Sequence, residues 1–317
     1  MNDINGGNPT DGVGGDGGEQ AITVTDLVKS YGELRAVDGV SFAVHRGEFF
    51  GILGPNGAGK TTTLEIIEGI RKADSGTVRL LGESPWPRNP ALLPRIGVQL
   101  QASSFFDKLT THEQLESFGA LYGVPARHAV ELLDVVGLAD KADTPESKLS
   151  GGQRQRLSIA CALVHSPEIV FLDEPTAALD PQARRNLWEL VRGIQSRGVT
   201  VVYTTHYLDE AEALCDRVAI MDAGRILALD TPASLVRGLD APTRIALPLR
   251  VLDAAAARGL DGADTVTVDG EEVEISTRTP ARVLTRLAEA DRLDGVSVRT
   301  ATLEDVFLDL TGREYRA

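Results

Sequence analysis

From Ala21 the chain alternates short apolar runs with polar punctuation. AITVTDLV, GVSFAV and EFFGIL have the length and β-branched or aromatic content of strands, and the last is a continuous apolar run ending in glycine. KTTTLEIIEGI then reads as a helix, so strand, glycine-rich loop and helix follow one another. GTVRLLG predicts another strand before the turn-rich ESPWPRNP. From Thr110 to about Pro167 the apolar spacing is near 3.6 in TTHEQLESFGALYG, ARHAVELLDVVGL and SGGQRQRLSIACALV, which predicts a helical insertion in an α/β domain. Strand and helix then alternate through EIVFLD, PQARRNLWELVRGIQSRG, TVVYTT, LDEAEALC and RVAIMD, the rhythm of parallel strands joined by helical crossovers. Pro181 falls in the first turn of its predicted helix and Gly198 just past its end, as helix asymmetry prefers. A short helix after Thr231-Pro232 closes the main domain near Gly238.

Residues 239–317 read as a separate α/β piece: strand-like TVTVDG, EEVEIST and VSVRT, a helix PARVLTRLAEA, and a last helix LEDVFLDLTG. At the other end, residues 1–20 hold seven glycines, four acids and no base, and predict a disordered tail. A length of 317 residues suits this plan of a main domain over 21–238, with its helical part about 102–167, and a smaller accessory domain.

Composition narrows the function. No apolar run approaches the roughly 20 residues that cross a bilayer. The N-terminal residues lack a signal pattern, so the chain is expected in the cytoplasm. Cys161 and Cys215 sit in apolar surroundings without metal spacing and are expected as buried thiols. A formal charge of −14 argues against a nucleic-acid partner, because that affinity rests on Lys and Arg. A nucleotide bound here needs a local pocket.

One lies at residues 54–61. Gly54-Pro55-Asn56-Gly57-Ala58-Gly59-Lys60-Thr61 fits G-x-x-x-x-G-K-S/T between a buried strand and a helix. The glycines let backbone amides curl around a phosphate, and the helix N-terminus adds partial positive charge. Lys60 reaches the β and γ oxygens, the Thr61 hydroxyl can ligate Mg²⁺, and Thr62 follows in the same turn. Alone, the loop means a nucleotide binder. The second element is Ile169 to Glu174, four apolar residues delivering two carboxylates at a strand's C-terminal end. Asp173 is placed to hold Mg²⁺, directly or through water, and Glu174 to polarise an attacking water as general base.

Leu149-Ser150-Gly151-Gly152-Gln153 precedes the Arg-rich helix RQRLSIACAL. With these motifs in this order, residues 21 to about 238 resemble the ATP-binding cassette (ABC) ATPases, whose signature is LSGGQ. A serine and two glycines at a helix N-terminus offer a hydroxyl and amides to an anion, although the same residues serve as a plain cap. The resemblance implies an ABC-type P-loop fold with a mixed sheet, and two cassettes pairing head to tail around two ATP·Mg²⁺. The signature of one then covers the γ-phosphate on the Lys60 loop of the other. It also implies that Tyr31 stacks on adenine, and that Gln101 touches Mg²⁺ and the attacking water, with Gln99 the competing choice. In the same way Asp180, in Ala177-Ala178-Leu179-Asp180, belongs to a loop crossing the dimer interface, and His206, after TVVYTT, is the switch histidine on the γ-phosphate. Asp180 is also readable as an N-cap before Pro181.

A single cassette with no membrane span needs a partner permease and a second ATP-binding subunit, most simply its own copy, and so works at the cytoplasmic face of the membrane. The segment from about Ala102 to Leu115 is the expected permease contact, with Phe105 and Phe106 as apolar groups; packing inside the helical part is the alternative. The closing TLEDVFLDLTGRE is similar to the daunorubicin-resistance type of ATPase, which serves drug, antibiotic and lipid exporters. The rival is a soluble ABC ATPase acting on a ribosome or nucleic acid.

Overall fold

The computed structural model describes residues 19–99, 105–106, 108–177 and 179–312. In chain order the strands and α-helices are β1 Gln20–Tyr31, β2 Leu34–His45, β3 Phe49–Leu53, α1 Lys60–Ile67, β4 Ser75–Leu80, β5 Ile96–Gln99, α2 Thr111–Leu121, α3 Ala126–Val135 and α4 Gly151–Leu163. They continue as β6 Ile169–Asp173, α5 Pro181–Gln195, β7 Thr200–Thr205, α6 Leu208–Leu214, β8 Arg217–Asp222, β9 Arg225–Asp230, α7 Pro232–Gly238 and β10 Thr243–Pro248. The last are α8 Ala254–Arg258, β11 Thr265–Asp269, β12 Glu272–Thr277, α9 Pro280–Glu289, β13 Ser297–Arg299 and α10 Leu303–Thr311. By contacts the described residues form two units, one within 19–50, 59–204 and 223–225, the other within 51–58, 205–222 and 226–312.

In the first unit an antiparallel sheet has the order β2-β1-β4. It begins at Gln20, paired with His45, while Glu19 bridges Arg46 at 3.1 Å. These two residues were expected in the tail; the rest of that stretch, 1–18, lies outside the described residues. The core of the unit is a parallel run β5-β6-β7, with Asp173 in register with Thr204. All five residues of β6 and all six of β7 are buried, as continuous apolar runs in parallel strands require. The opening of β3 joins them through the Val201 N–H, which donates to the Glu48 carbonyl at 2.9 Å. Helices α2, α3 and α4 pack together as the expected helical part, α2 starting from a capping box of Thr110 and Glu113.

In the second unit the remainder of β3, then β8 and β9, lie in that order. A separate antiparallel sheet, β11-β12-β10-β13, carries a small core of Ile245, Leu247, Val273 and Ile275 with Val283 and Leu287 of α9. The last helix, α10, packs on α6 and α7, and the Leu303 N–H donates to Glu212 at 2.8 Å. The expected division at 238/239 falls inside this unit.

Candidate active site

In the second unit the loop 54–58 leaves β3 under tight constraint. The Gly54 N–H donates to the Thr205 carbonyl at 3.3 Å. A Cβ on Gly54 would stand 2.1 Å from the Met221 carbonyl oxygen, so only glycine fits. The Ala58 N–H turns back to the Pro55 carbonyl at 3.2 Å, and Gly57 has φ +81°. Such left-handed turns point successive amides into one concavity suited to an anion. His206 directly follows Thr205, its ring 4.1 Å from that of Tyr207. The buried Thr205 hydroxyl donates to Glu210 at 2.6 Å and accepts from the Tyr207 N–H at 2.9 Å, which fixes the turn carrying His206.

In the first unit Gly59, at φ +102°, stands at the N-cap of α1, and Lys60, Thr61 and Thr62 form its first turn. Lys60 is 4% exposed, and its Nζ lies 3.0 Å from Glu174 Oε1. Asp173 ends β6 and accepts hydrogen bonds from the hydroxyls of Thr204 and Thr61. The Glu174 N–H donates to Thr204 Oγ1 at 3.0 Å. Burial pushes the Asp173 carboxyl above its ordinary range; the two hydroxyls oppose this and the Glu174 charge adds to it. Glu174 has φ +45°, a conformation that costs a non-glycine residue free energy and clusters at functional positions.

The signature residues form a second cluster of this unit. Ser150 caps α4: its hydroxyl accepts from the Gln153 N–H at 3.3 Å, and its own N–H donates to Gln153 Oε1 at 2.9 Å. Leu149 is buried beneath them. Asp180 caps α5 by accepting from the Gln182 and Ala183 N–H groups, both at 2.9 Å. Ser150, Gly152, Gln153 and Asp180 line one pocket of about 220 Å³, and a Cβ on Gly152 would meet that of Ala183 at 3.0 Å. Gly151 stands exposed at the helix start. This cluster and the Lys60–Glu174 cluster share no residue.

Tyr31 is 41% exposed at the end of β1, with Lys29 Nζ 5.7 Å and the Arg71 guanidinium 5.4 Å from its ring centre. Both cations lie within cation–π distance of the ring. Gln101 and Ala178 lie outside the described residues. The competing Gln99 ends β5, buried, and its Oε1 accepts no hydrogen bond among the described residues.

Sequence reading missed four groups that shape these sites. Thr204 and Thr205 close β7, Thr204 in register with Asp173, a signal like the one that exposed the two carboxylates. Glu210 is fully buried, unlike an acid of a surface helix. Glu68, past the end of α1, is pushed up to about 9 by burial, with the charges of Asp173 and Glu65 adding. It lines a groove of about 650 Å³ with Trp86, Phe105, Phe118, Tyr122 and His165. Both cysteines are buried as expected, and desolvation raises the Cys161 thiol to about 12.

Residues 37–177 match the family described as ABC transporter. The chain is 40% identical to the Nod factor export ATP-binding protein I of Ralstonia nicotianae, an alignment covering 95% of this chain and 97% of that protein. It is 38% identical to the linearmycin resistance ATP-binding protein LnrL of Bacillus subtilis, covering 93% and 99%. Among solved structures, cbiO1 of Clostridium perfringens, part of an ABC transporter complex, superposes with a TM-score of 0.62 at 29% identity, over 70% of this chain and 95% of that one. A dimeric ATP-binding cassette in a post-hydrolysis state with ADP and Pi gives 0.60 at 28%, over 66% and 98%.

Proposed function

The chain belongs to the ABC transporter ATPases and hydrolyses ATP, and from that premise we propose that it powers export of a drug-, antibiotic- or lipid-like compound through a separate membrane permease. The relatives named for export and for resistance match 95% and 93% of its length, which takes in most of the region after the cassette. Among the described residues no helix is long and apolar enough to cross a membrane, so the path for the cargo belongs to another chain. Those relatives favour this reading over action on a ribosome or nucleic acid, as does the formal charge of −14.

The observation that carries the chemistry is the pair of buried Lys60 with half-buried Glu174 beside Asp173. Loop 54–59 binds the phosphates through its amides, and Lys60 takes the β and γ oxygens. Phosphate oxygens then compete with Glu174 for the Lys60 ammonium, leaving the Glu174 carboxylate to accept a proton from the attacking water. Asp173 and the Thr61 hydroxyl, two hard oxygen donors already joined by a hydrogen bond, suit Mg²⁺, which when bound neutralises phosphate charge. His206 and Gln101 orient the water and γ-phosphate, and Tyr31 stacks on adenine.

Two subunits are needed. The Ser150 hydroxyl and the first amides of α4 face the pocket that Asp180 also lines, and they present donors to the γ-phosphate held by the partner. The permease contact includes the groove bordered by Phe105, with exposed Phe106 at its side. Changing Glu174 to Gln keeps the binding groups and removes the base. Hydrolysis should fall by more than about a hundredfold, and size-exclusion chromatography with ATP should show a stable dimer. A monomer at saturating ATP overturns the shared-site mechanism.

A further inference from the structure

Thr204 is fully buried in β7, in register with Asp173 of β6. Val201, Val202 and Tyr203 before it are buried as well, and packing there would be met by one more valine. A buried hydroxyl costs free energy unless it is hydrogen-bonded. Here its neighbours dictate how it bonds. The Glu174 backbone N–H can only donate, and does so to Thr204 Oγ1 at 3.0 Å. The single hydroxyl proton then goes to Asp173 Oδ1, because a carboxylate accepts. One side chain thus holds two consecutive residues of the site. Threonine is β-branched and stiff at χ1, which fixes where its oxygen stands.

The pairing of β6 with β7 ends at Asp173, so the Glu174 N–H lies past the ladder and the Thr204 oxygen takes it up. Glu174 has φ +45°, a conformation that persists only where its surroundings impose it. Its carbonyl accepts from the Ala177 N–H at 3.1 Å, and its carboxylate meets Lys60 Nζ at 3.0 Å. A bound nucleotide treats these ties differently. Phosphate oxygens compete for the Lys60 ammonium, whereas the Thr204 and Ala177 bonds are to the backbone and stay. Once Lys60 is drawn away, the direction of the Glu174 side chain depends on its backbone, and Thr204 holds the N-terminal side of it. Asp173 also accepts from the Thr61 hydroxyl, so it keeps a donor when Thr204 loses its own.

We propose that Thr204 is a positioning residue for hydrolysis: through the Glu174 N–H it holds the backbone of residue 174, so that the carboxylate stands at the attacking water after Lys60 has turned to the phosphates. Thr204 acts through Glu174 and takes no proton itself. The proposal rests on the reading of Glu174 as the general base.

The test uses the full chain and measures single-turnover hydrolysis of radiolabelled ATP, with nucleotide binding followed separately by a fluorescent ATP analogue. Thr204→Val keeps the shape and removes the hydroxyl. Its rate at saturating ATP should fall about a hundredfold, the loss that follows displacement of a catalytic group by about 1 Å, while the dissociation constant of the analogue stays within about twofold. Thr204→Ser, which restores the hydroxyl, should bring the rate back to within about fivefold of the parent. A parental rate in Thr204→Val, binding weakened in step with the rate, or no recovery with serine overturns the proposal. Should the valine variant fail to fold, Thr204→Cys takes its place. Its thiol donates and accepts only weakly, so the rate should fall at least about tenfold, and a parental rate overturns the proposal. Because Thr204 acts through Glu174, Thr204→Val should take at most about twofold more from the residual rate of Glu174→Gln. A larger further loss overturns the proposal. A parental rate in Glu174→Gln sinks the base reading and this proposal with it; a Glu174→Gln loss beside an unaffected Thr204→Val sinks this proposal alone.

Discussion

Lys60 and Glu174 neutralise each other in a site from which water is largely excluded, and Asp173 beside them is kept from its ordinary acidity by the same burial. Glu68 adds a third acid to this neighbourhood. In the unfolded chain its carboxyl titrates near 4.5, and in the folded protein burial raises it to about 9. Between those values the folded state holds a proton that the unfolded chain has released. The stability this group contributes is therefore complete below about pH 4.5 and is lost as pH rises through about 9. Glu68→Gln removes that slope. In thermal melts the variant's gain in Tm over the parent should be small near about pH 5 and grow steadily toward about pH 9; a gain independent of pH contradicts the assignment. Sequence alone does not single out Glu68, because an acid after a helix reads as solvated surface.

At the scale of elements, helix starts do double service. The caps on α4 and α5 come from Ser150, also expected to cover a partner's γ-phosphate, and from Asp180, also expected in a loop crossing the dimer interface. Asp180→Ala should cost roughly 1 kcal/mol of stability through the lost cap. Asp180→Ser, which can still cap, should recover the melting temperature while ATPase activity stays low. Recovery of both would leave Asp180 with the cap alone. Periodic helices and largely apolar strands were legible: α1, α5, β3, β6 and β7 stand where their patterns predict. β5, β9, β10 and α8 were not. Ile96–Gln99 is four residues long, Thr243–Pro248 ends in proline, and Ala254–Arg258 is barely one helical turn. Local pattern is too short in each, and pairing with neighbours such as β12 makes the element.

For the whole molecule, the permease reading can be challenged at Phe105 and Phe106. Phe105 lines the aromatic groove; Phe106 is 52% exposed yet lies 5.9 Å from the Phe118 ring, and Gln114 ties its backbone to α2. Changing both to Ser should leave basal ATPase within about twofold and weaken co-purification with the permease at least tenfold, since exposed aromatic anchors carry contact energy. Unaltered complex formation sinks the docking role. By itself the sequence determined the local arrangement: spacing alone puts a lysine after a glycine-rich loop and two carboxylates after a buried strand, because those geometries are local. It also carried the family, through motifs in fixed order. Only the tertiary structure decided which groups meet. The Lys60–Glu174 pair, Thr204 shared between Asp173 and Glu174, and the pocket common to Ser150 and Asp180 all join residues distant in sequence. Strand order and register bring them together, and neither can be read from a local pattern.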